Sequence, residues 1–441
     1  MRVAEVLLEK INSRKAAVTV VGMGYVGLPL AVALAQAGFA VSGVDLDKQK
    51  VEGINSGRSH VTDVPSEQLA ALVAKGALVA TADYAPVARS DASIICVPTP
   101  FGRAKQPDLS YITSAAEGIA RYLPDAVASG LFPIVILEST TYPGTTEDIV
   151  LPILEQTGLR HGEDFLLAFS PERIDPGNPK FNVSNTPKIV GGVTPEATKA
   201  ASSLYSCITQ QVVPVSSPRV AEMAKLYENI FRHVNIALAN EMSILCQDMG
   251  IDIWEVIEAA STKPFGFMPF YPGPGVGGHC IPVDPFYLTW KLTELDRKAR
   301  FIELAGEIND RMPYWVVDRL QNVLNDRQKS LKGCRVLVLG VAYKRDIGDV
   351  RESPALKVME YLVKKGALVR YHDPYVPKFK TSVGEFNSVP LTDAELQDAD
   401  SVVILTDHSS IPYDKVAKLS RLVLDTRNVL KGLQAENIVR L

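Results

Sequence analysis

Short apolar runs alternate with helical stretches through the first half of the chain. A strand, a glycine turn and a helix are predicted over residues 16–38, and a second strand is predicted over 39–47. Three further apolar runs, at 93–100, 133–144 and 165–173, each end in polar residues. Continuous Val, Ile and Leu character is typical of strands that are buried on both faces of a parallel sheet. The pattern therefore predicts an α/β fold.

The pattern changes near residue 218. Residues 218–250 keep helical periodicity with no internal proline or glycine, which predicts one long helix. A helix of this length suits a spine between domains or a dimer interface. After a shorter helix and a loop over 263–285, helical segments resume to about residue 328. Strand–turn–helix patterns then return from residue 334 to the end of the chain.

Three parts follow from this order of elements. We expect two doubly wound Rossmann-like domains, joined by a long central helix and a helical middle domain. The predicted boundaries give an N-terminal domain at 1–215, a central domain at 216–328 and a C-terminal domain at 329–441.

Composition narrows the classes of function. The 441 residues carry a net charge of -4, with 46% hydrophobic and 22% charged residues, as in ordinary globular proteins. The slight acidity argues against nucleic acid as a partner, because nucleic-acid binding relies on neutralising phosphates. The chain has neither the apolar core of a signal peptide nor a run of about 18 apolar residues. We therefore expect no membrane insertion and a cytoplasmic location.

The metal-ligating residue types are scattered. The chain has five cysteines without a CxxC pair, and its six histidines do not cluster with acids or cysteines at metal spacing. The sequence predicts reduced thiols and no metal site.

A glycine fingerprint lies between the first predicted strand and helix. Gly22, Gly24 and Gly27 fit GxGxxG, and Asp45 ends the next strand about 20 residues later, as a ribose-binding acid does. A glycine turn needed only for packing is the alternative. Asp45 would repel a 2′-phosphate, so NAD is favoured over NADP. The later GVAYKR turn lacks the three-glycine spacing, so it need not bind a dinucleotide.

The glycine-rich loop GPGVGGHCIPVDP centres on Cys280. A thiolate is a good nucleophile toward an aldehyde, and Asp284 lies four residues on, where it could hold a water or take a proton. The alternative is that Cys280 is a buried small hydrophobe. Lys225 and Asn229 lie one turn apart on the long helix and matter only if that face meets Cys280.

Two polar residues directly follow apolar strands. Thr141 lies in ESTTYPG and Glu172 in SPER. In open α/β sheets the ligand crevice lies beyond the carboxyl ends of the strands, so both are candidates for function. Residues that form turns or cap helices are the alternative. Glu138 lies nearby and ranks below Glu172.

Seven segments together resemble the UDP-glucose/GDP-mannose dehydrogenase family, in order and across almost the entire chain: GMGYVGLP, CVPTP, ESTTYPGTT, SPER, AKLYENIFRHVNIALANE, GPGVGGHCIPVDP and GVAYKRDIGDVRES. The resemblance implies a four-electron oxidation of a nucleotide-sugar C6 alcohol to a carboxylate, with two NAD+ and a cysteine nucleophile. It also implies an NAD-binding N-terminal domain, dimerisation through the long helix, a C-terminal domain for the UDP-sugar and a role in polysaccharide biosynthesis.

The resemblance also assigns residues. It implies six catalytic residues: Cys280 as nucleophile, Lys225 and Asn229 for the oxyanion, Asp284 for water, Glu172 for thioester hydrolysis, and Thr141 near the nicotinamide. NAD contacts are implied for Gly22, Gly24, Tyr25, Val26, Gly27, Asp45, Pro98, Thr99, Thr141 and Arg351. Substrate contacts are implied for Glu172, Lys225, Asn229, Gly277, Lys344, Arg427 and Lys263, the last reaching a neighbouring subunit.

The stretch 263–291 most resembles the branch that oxidises UDP-N-acetylglucosamine. We therefore expect this sugar ahead of the N-acetylmannosamine, N-acetylgalactosamine and glucose derivatives. Two other functions stay open: a two-electron dehydrogenase of the hydroxyacid type, and a non-catalytic NAD-binding protein.

Overall fold

The computed structural model describes residues 2–100, 102, 106–175, 178, 180–433 and 435–441. The chain forms two compact units, Met1–Glu228 and Asn229–Leu441. Both are α/β units built on a mainly parallel sheet, so the predicted fold class is confirmed. The three-part division at 215/216 and 328/329 stays a prediction.

The sheet of the first unit has eight strands within the described residues, in the order β3-β2-β1-β4-β5-β6-β7-β8. The strands are β1 Ala17–Val21, β2 Ala40–Val44, β3 Leu78–Thr81, β4 Ala92–Ile95, β5 Ile134–Leu137, β6 Leu166–Phe169, β7 Lys188–Gly192 and β8 Val212–Val215. Their helices are α1 Arg2–Asn12, α2 Gly27–Gln36, α3 Lys48–Asn55, α4 Ser66–Ala74, α5 Ser110–Ala120, α6 Leu123–Ala128, α7 Leu151–Glu155 and α8 Pro195–Tyr205. A 3₁₀ turn, Ala85–Arg89, precedes β4, and a π-helical turn, Thr146–Val150, leads into α7.

Both faces of this sheet are buried, as the continuous apolar runs predict. In β5, Ile134 and Ile136 belong to one apolar cluster, whereas Val135 and Leu137 belong to another. Alternate residues of a strand point to opposite faces, so the two clusters lie on the two sides of the sheet. Helices α2 and α8 contribute to the first cluster and α5 to the second.

Two reversed strands correct the sequence-based expectation of a parallel sheet. Strands β1 to β6 are parallel, but β7 pairs antiparallel with β6, and β8 is parallel to β7. Parallel neighbours need a crossover connection, usually a helix. The described residues between β6 and β7 contain no helix, so the chain reverses there. The reversal brings the amino end of β7 to the edge where β5 and β6 have their carboxyl ends.

The predicted long helix is confirmed as α9, Pro218–Asp248, which begins in the first unit and ends in the second. Three helices follow before the next strand: α10 Ile253–Ser261, α11 Asp284–Thr293 and α12 Arg300–Asp326. No helix among the described residues has the length and apolar character needed to cross a membrane.

The second unit carries a parallel five-stranded sheet in the order β10-β9-β13-β14-β15, with a separate β11–β12 hairpin. The strands are β9 Arg335–Leu339, β10 Leu368–His372, β11 Lys378–Thr381, β12 Gly384–Asn387, β13 Ser401–Ile404, β14 Val423–Asp425 and β15 Ile438–Arg440. The helices among them are α13 Pro354–Lys364, α14 Asp393–Asp398 and α15 Tyr413–Leu419.

Asp373 follows β10, at the position that Asp45 holds after β2 in the first unit. Its buried carboxylate accepts five hydrogen bonds of 2.7 to 3.1 Å from described groups: the backbone N–H of Val341, Ala342, Tyr375 and Val376, and His408 Nε2. The Asp346 N–H donates to His408 Nδ1, so the ring proton is on Nε2. The carboxylate is therefore committed to holding the loop that follows β9.

Replacing Asp373 by Ala should lower the free energy of unfolding by about 3 kcal/mol, because several buried donors lose a charged acceptor. Burial alone would raise the pKa of Asp373, but the hydrogen bonds from His408 and the backbone outweigh it and lower that pKa. The stabilisation is therefore full above the unfolded carboxyl pKa of about 4 and is lost as the pH falls through the lower folded pKa. Urea unfolding at neutral and acidic pH measures both effects.

Asp318→Ala is the matched control, because Asp318 forms an exposed ion pair with Lys365 at 2.9 Å. Its cost should stay below about 1 kcal/mol. Equal costs for the two variants would contradict the assignment of Asp373 as the clamp of the loop.

Candidate active site

The glycine loop between β1 and α2 leaves room for a ligand at one of its three glycines. Gly22 has a φ of +93°, and a Cβ there would lie 2.8 Å from the Cys96 carbonyl oxygen. A Cβ on Gly27 would lie 1.8 Å from the Gly22 oxygen, so both positions need glycine for the fold itself. A Cβ on Gly24 would meet nothing within 4 Å. The open space at Gly24 is where a pyrophosphate approaches the backbone in dinucleotide sites.

Asp45 holds this loop in place. Its carboxylate accepts hydrogen bonds from the Met23 N–H at 3.0 Å and the Asp47 N–H at 2.9 Å, and Lys50 Nζ lies 3.4 Å away. A carboxylate has about four acceptor sites, so one remains for a ribose hydroxyl.

The start of α2 also suits an anion. No described side chain caps the helix after Val26, and Tyr25 beside it is 50% exposed. Uncapped N–H groups at a helix start bind phosphate. The residues present therefore fit a dinucleotide such as NAD.

Three more predicted contact residues follow parallel strands. Pro98 and Thr99 come after β4, and Pro98 is exposed. Thr141 comes after β5, where its buried hydroxyl shares a 2.6 Å hydrogen bond with the Thr145 hydroxyl. The Ser139 hydroxyl donates to the Val97 carbonyl at 2.7 Å and joins these two loops. All of them therefore lie at the carboxyl edge of the sheet.

Glu172 follows β6 and is held by groups that favour its charged form. Its Oε1 accepts from the Arg173 and Ile174 N–H groups, each at 2.6 Å, and Lys188 Nζ lies 3.2 Å from its Oε2. Burial raises the pKa of Glu172, but Lys188 and the hydrogen bonds from Glu138 and Ile174 outweigh it, so this pKa falls below its ordinary value. Sequence reasoning missed Lys188. The signal was a lysine that opens the apolar run KIVGG.

The first turns of α9 add two buried charged side chains. Glu222 accepts hydrogen bonds from the Gly144 N–H at 2.6 Å and the Thr146 N–H at 2.9 Å, and so fixes the loop that carries Thr141. Lys225 is 9% exposed, and its ammonium has no hydrogen bond or ion pair among the residues that the structure describes. A buried cation without a counterion favours binding of a negatively charged group.

In the second unit, the structure brings three predicted catalytic residues together. The Cys280 carbonyl accepts from the Asp284 N–H at 2.7 Å, at the start of α11. The Asp284 side chain is buried, and the Asn229 side-chain amide donates to it at 2.6 Å. Cys280 itself is partly exposed. It lies at the positive end of a ten-residue helix, which stabilises negative charge.

The loop that carries Cys280 packs against the loop after β9. The Gly278 N–H donates to the Arg351 carbonyl at 3.2 Å, and a Cβ on Gly277 would lie 2.8 Å from Tyr343 Cβ. Lys344 directly follows Tyr343, so three predicted ligand contacts, Gly277, Lys344 and Arg351, belong to one region. The Arg351 side chain pairs with Asp349 at 2.6 Å.

The two remaining predicted substrate contacts, Arg427 and Lys263, have different surroundings from each other. Arg427 Nε donates to the Leu405 carbonyl at 2.8 Å, and a Cβ on Gly273 would lie 2.9 Å from Arg427 Nη1. Arg427 thus lies beside the start of the glycine-rich loop. Lys263 is exposed, with its ammonium 5.1 Å from the Phe265 ring centre. Its contact with a neighbouring subunit stays a prediction.

The other cysteines have the surroundings of packing residues. Cys96, Cys246 and Cys334 are buried. Burial raises the pKa of the Cys96 and Cys207 thiols and raises that of Cys334 to about 11. Thiolate chemistry is therefore disfavoured at these three sites. Among the described residues, no group of three His, Cys, Asp or Glu side chains could hold a metal ion.

Three domains of one family match this chain in order. The NAD binding domain of the UDP-glucose/GDP-mannose dehydrogenase family matches residues 16–209, its central domain residues 219–311, and its UDP binding domain residues 337–432. The chain belongs to the UDP-glucose/GDP-mannose dehydrogenase family. It is an NAD-dependent oxidoreductase that acts on a CH–OH group, and the resemblance expected from the sequence motifs is confirmed.

Several members of the family, each named for a particular sugar, are similar to this chain over most of their length. The NDP-N-acetyl-D-galactosaminuronic acid dehydrogenase of Ralstonia nicotianae is 38% identical over 426 residues, which cover 93% of this chain and 96% of that protein. The UDP-N-acetyl-D-mannosamine dehydrogenase of Pyrococcus horikoshii is 36% identical over 420 residues, with 94% and 96% coverage. A solved structure of UDP-D-ManNAc dehydrogenase from Pyrococcus horikoshii has a TM-score of 0.86 at 34% identity, covering 96% of this chain and 98% of that one.

Replacing Gly24 by Ala should leave the fold intact and weaken NAD+ binding at least roughly tenfold, or about 1.4 kcal/mol. The added methyl group occupies the open space that the pyrophosphate needs and meets no protein atom within 4 Å. Thermal unfolding and titration with NAD+ measure the two effects.

Gly22→Ala is the contrasting variant, because its methyl group meets backbone and the position has positive φ. It should lower the melting temperature as well as NAD+ affinity. Normal NAD+ binding by Gly24→Ala would refute the assignment of this loop.

Proposed function

We propose that this dehydrogenase oxidises the C6 hydroxyl of a UDP-N-acetylhexosamine to the carboxylate, with Cys280 as the nucleophile. The observation that carries the proposal is the Cys280–Asp284–Asn229 arrangement at the start of α11. It supplies a thiol, a buried carboxylate and an amide that orients the carboxylate. When bound in the first unit, NAD+ serves as the hydride acceptor, twice for each sugar.

The proposed chemistry divides one difficult oxidation into steps on a covalent intermediate. In the first oxidation, the C6 hydroxyl proton passes to a water held by Asp284 and Lys225, a hydride leaves C6 for the acceptor, and an aldehyde results. The Cys280 sulfur then bonds to the aldehyde carbon, and its proton passes to the oxygen, which gives a thiohemiacetal. The second oxidation leaves a thioester. Water adds to the thioester carbon, the C–S bond breaks, and the sugar leaves as a carboxylate.

Five residues serve these steps in the proposal. Asp284, held by Asn229, orients the water, and Glu172 takes a proton from it. The Lys225 ammonium and the second N–H of the Asn229 amide stabilise the oxyanion. A positioned donor of this kind contributes about 2.7 to 4 kcal/mol. Thr141 stands beside the nicotinamide and the water.

The UDP-sugar is assigned to the second unit and its UDP binding domain. Lys344 and Arg427 offer cations to the diphosphate and uridine, and Gly277 lets the backbone approach the sugar. Lys263 would complete the site of a neighbouring subunit. The similar proteins support the 2-acetamido class but act by name on the galacto and manno epimers. The similar proteins described above do not support the gluco epimer that the sequence favoured. We therefore propose the class of 2-acetamido sugars and not one epimer.

Assembly and location complete the proposal. We expect a homodimer or higher homo-oligomer through α9, because Leu238, Met242 and Leu245 expose 53%, 36% and 46% of their surface there. We expect a cytoplasmic location, since Cys280 must stay reduced. A uronic acid product would serve polysaccharide biosynthesis.

A panel of UDP-GlcNAc, UDP-ManNAc, UDP-GalNAc and UDP-glucose should give two NADH per sugar with at least one of the 2-acetamido substrates. The stoichiometry follows from the four-electron balance, and absorbance of NADH measures it. One NADH per sugar would indicate a two-electron dehydrogenase instead. A preference for UDP-glucose would overturn the 2-acetamido assignment, and no turnover with normal NAD+ binding would favour a non-catalytic protein.

Cys280→Ser should lower steady-state NADH production on the order of 100-fold or more, because the covalent intermediate is lost, while NAD+ binding stays normal. Cys207→Ser is the matched control, since its thiol is only partly buried and donates to the Ser203 carbonyl at 3.1 Å. It should behave as the unmodified enzyme does. Two NADH per sugar at the normal rate from Cys280→Ser would exclude Cys280 as the nucleophile.

A further inference from the structure

A cluster of buried ionisable groups lies behind Glu172 in the first unit. We name Glu138, Glu172, Lys188 and Tyr205 the acid–lysine cluster. Glu138 directly follows β5, Glu172 follows β6, and Lys188 opens β7. The antiparallel register pairs Phe169 with Gly191 and, continued along the two chains, sets Glu172 opposite Lys188. The reversed direction of β7 is therefore what places the lysine at this edge.

One ammonium serves two carboxyl groups in the cluster. Lys188 Nζ bonds to Glu138 Oε1 and lies 3.2 Å from Glu172 Oε2. The Tyr205 hydroxyl donates to Glu138 Oε2 at 2.6 Å. The side chains of Lys188, Glu138 and Glu172 are 5%, 0% and 12% exposed. Glu172 is thus the member of the cluster nearest to solvent.

The charges of this cluster do not balance when both acids are ionised. Two carboxylates and one ammonium leave one net negative charge in a buried site, which favours retention of a proton by one acid. The two backbone N–H groups on Glu172 favour its ionised form. The proton therefore belongs to Glu138.

The same surroundings shift the pKa of both Glu138 and Lys188. Burial raises the pKa of Glu138 to about 7; the charge of Lys188 opposes this rise and the charge of Glu172 adds to it. Burial lowers the pKa of Lys188, but Glu138 and Glu172 outweigh it and raise that pKa. The other titratable groups that act on Glu138 are Tyr205 from α8 and Cys96 after β4.

We propose that Lys188 and Glu138 are positioning residues, which set how strongly the Glu172 carboxylate holds a proton. This inference rests on the proposed function of Glu172 as the base in thioester hydrolysis. Lys188 keeps Glu172 ionised despite its burial. Ionisation of Glu138 adds a like charge beside Glu172 and makes it a stronger base.

Opposite changes in pH dependence test the proposal. In the unmodified enzyme, steady-state NADH production should rise through pH 7 as Glu138 ionises. In Lys188→Met both acids lose their counterion, so this rise in NADH production should occur at a pH that is higher by about one unit or more. In Glu138→Gln the rise in NADH production through pH 7 should disappear. Lys188→Arg should restore the unmodified profile, because it keeps the charge.

A second measurement identifies the reaction step that Lys188 affects. Lys188→Met at pH 7 should still release two NADH per active site in a first, rapid phase, and then turn over slowly, because hydrolysis alone depends on Glu172. A purely structural role would lower the melting temperature and leave the shape of the pH profile unchanged. Superimposable pH profiles for all variants would therefore overturn the proposal.

Infrared titration of the carboxyl groups gives a test that needs no turnover. The unmodified protein should show a protonated, buried carboxyl band that disappears near pH 7, that is absent in Glu138→Gln, and that persists to higher pH in Lys188→Met. If Lys188→Met does not fold, the Glu138→Gln/Lys188→Gln double variant removes both charges and should lack the band. Absence of the band from the unmodified protein overturns this inference. Absence of NADH production with the band present overturns only the proposed function.

Discussion

Six parallel strands of the first unit end at one edge of one sheet, and this shared direction determines where its polar side chains gather. A polar residue after any of these strands comes out beside the residues that follow the neighbouring strands. The glycine loop, Asp45, Thr99, Thr141 and Glu172 all occupy this edge. The strands themselves are buried on both faces, so the edge is where the sheet can present functional groups.

The reversal of β7 adds a charge that this arrangement otherwise lacks. Lys188 reaches the edge only because the chain turns back after β6. Burial without a cation raises the pKa of a carboxyl group, and burial without an acid lowers the pKa of a lysine. Lys188 of the antiparallel strand thus stabilises the ionised form of Glu172, and no residue of the glycine loop takes part.

Local patterns could be predicted from the sequence, and pairings between distant segments could not. The glycine turn and the 31-residue helix α9 have periodicities that are visible in a short window. The direction of β7 depends on a connection without a helix, which an apolar run of five residues does not reveal. Lys188 and Glu138 are 50 positions apart, and Asn229 and Asp284 are 55 apart. Their contacts are properties of the folded chain, so sequence reasoning missed the first pair and left the second conditional.

The saturated carboxylate of Asp373 has a consequence for the order of events on the enzyme. The position that would bind a ribose in the second unit is occupied by the protein's own backbone, which leaves the first unit to hold the dinucleotide. Two oxidations through one such site must be successive, with one cofactor molecule exchanged for another between them. During that exchange the half-oxidised sugar must stay on the enzyme, and in the proposed reaction the covalent bond to Cys280 holds it there.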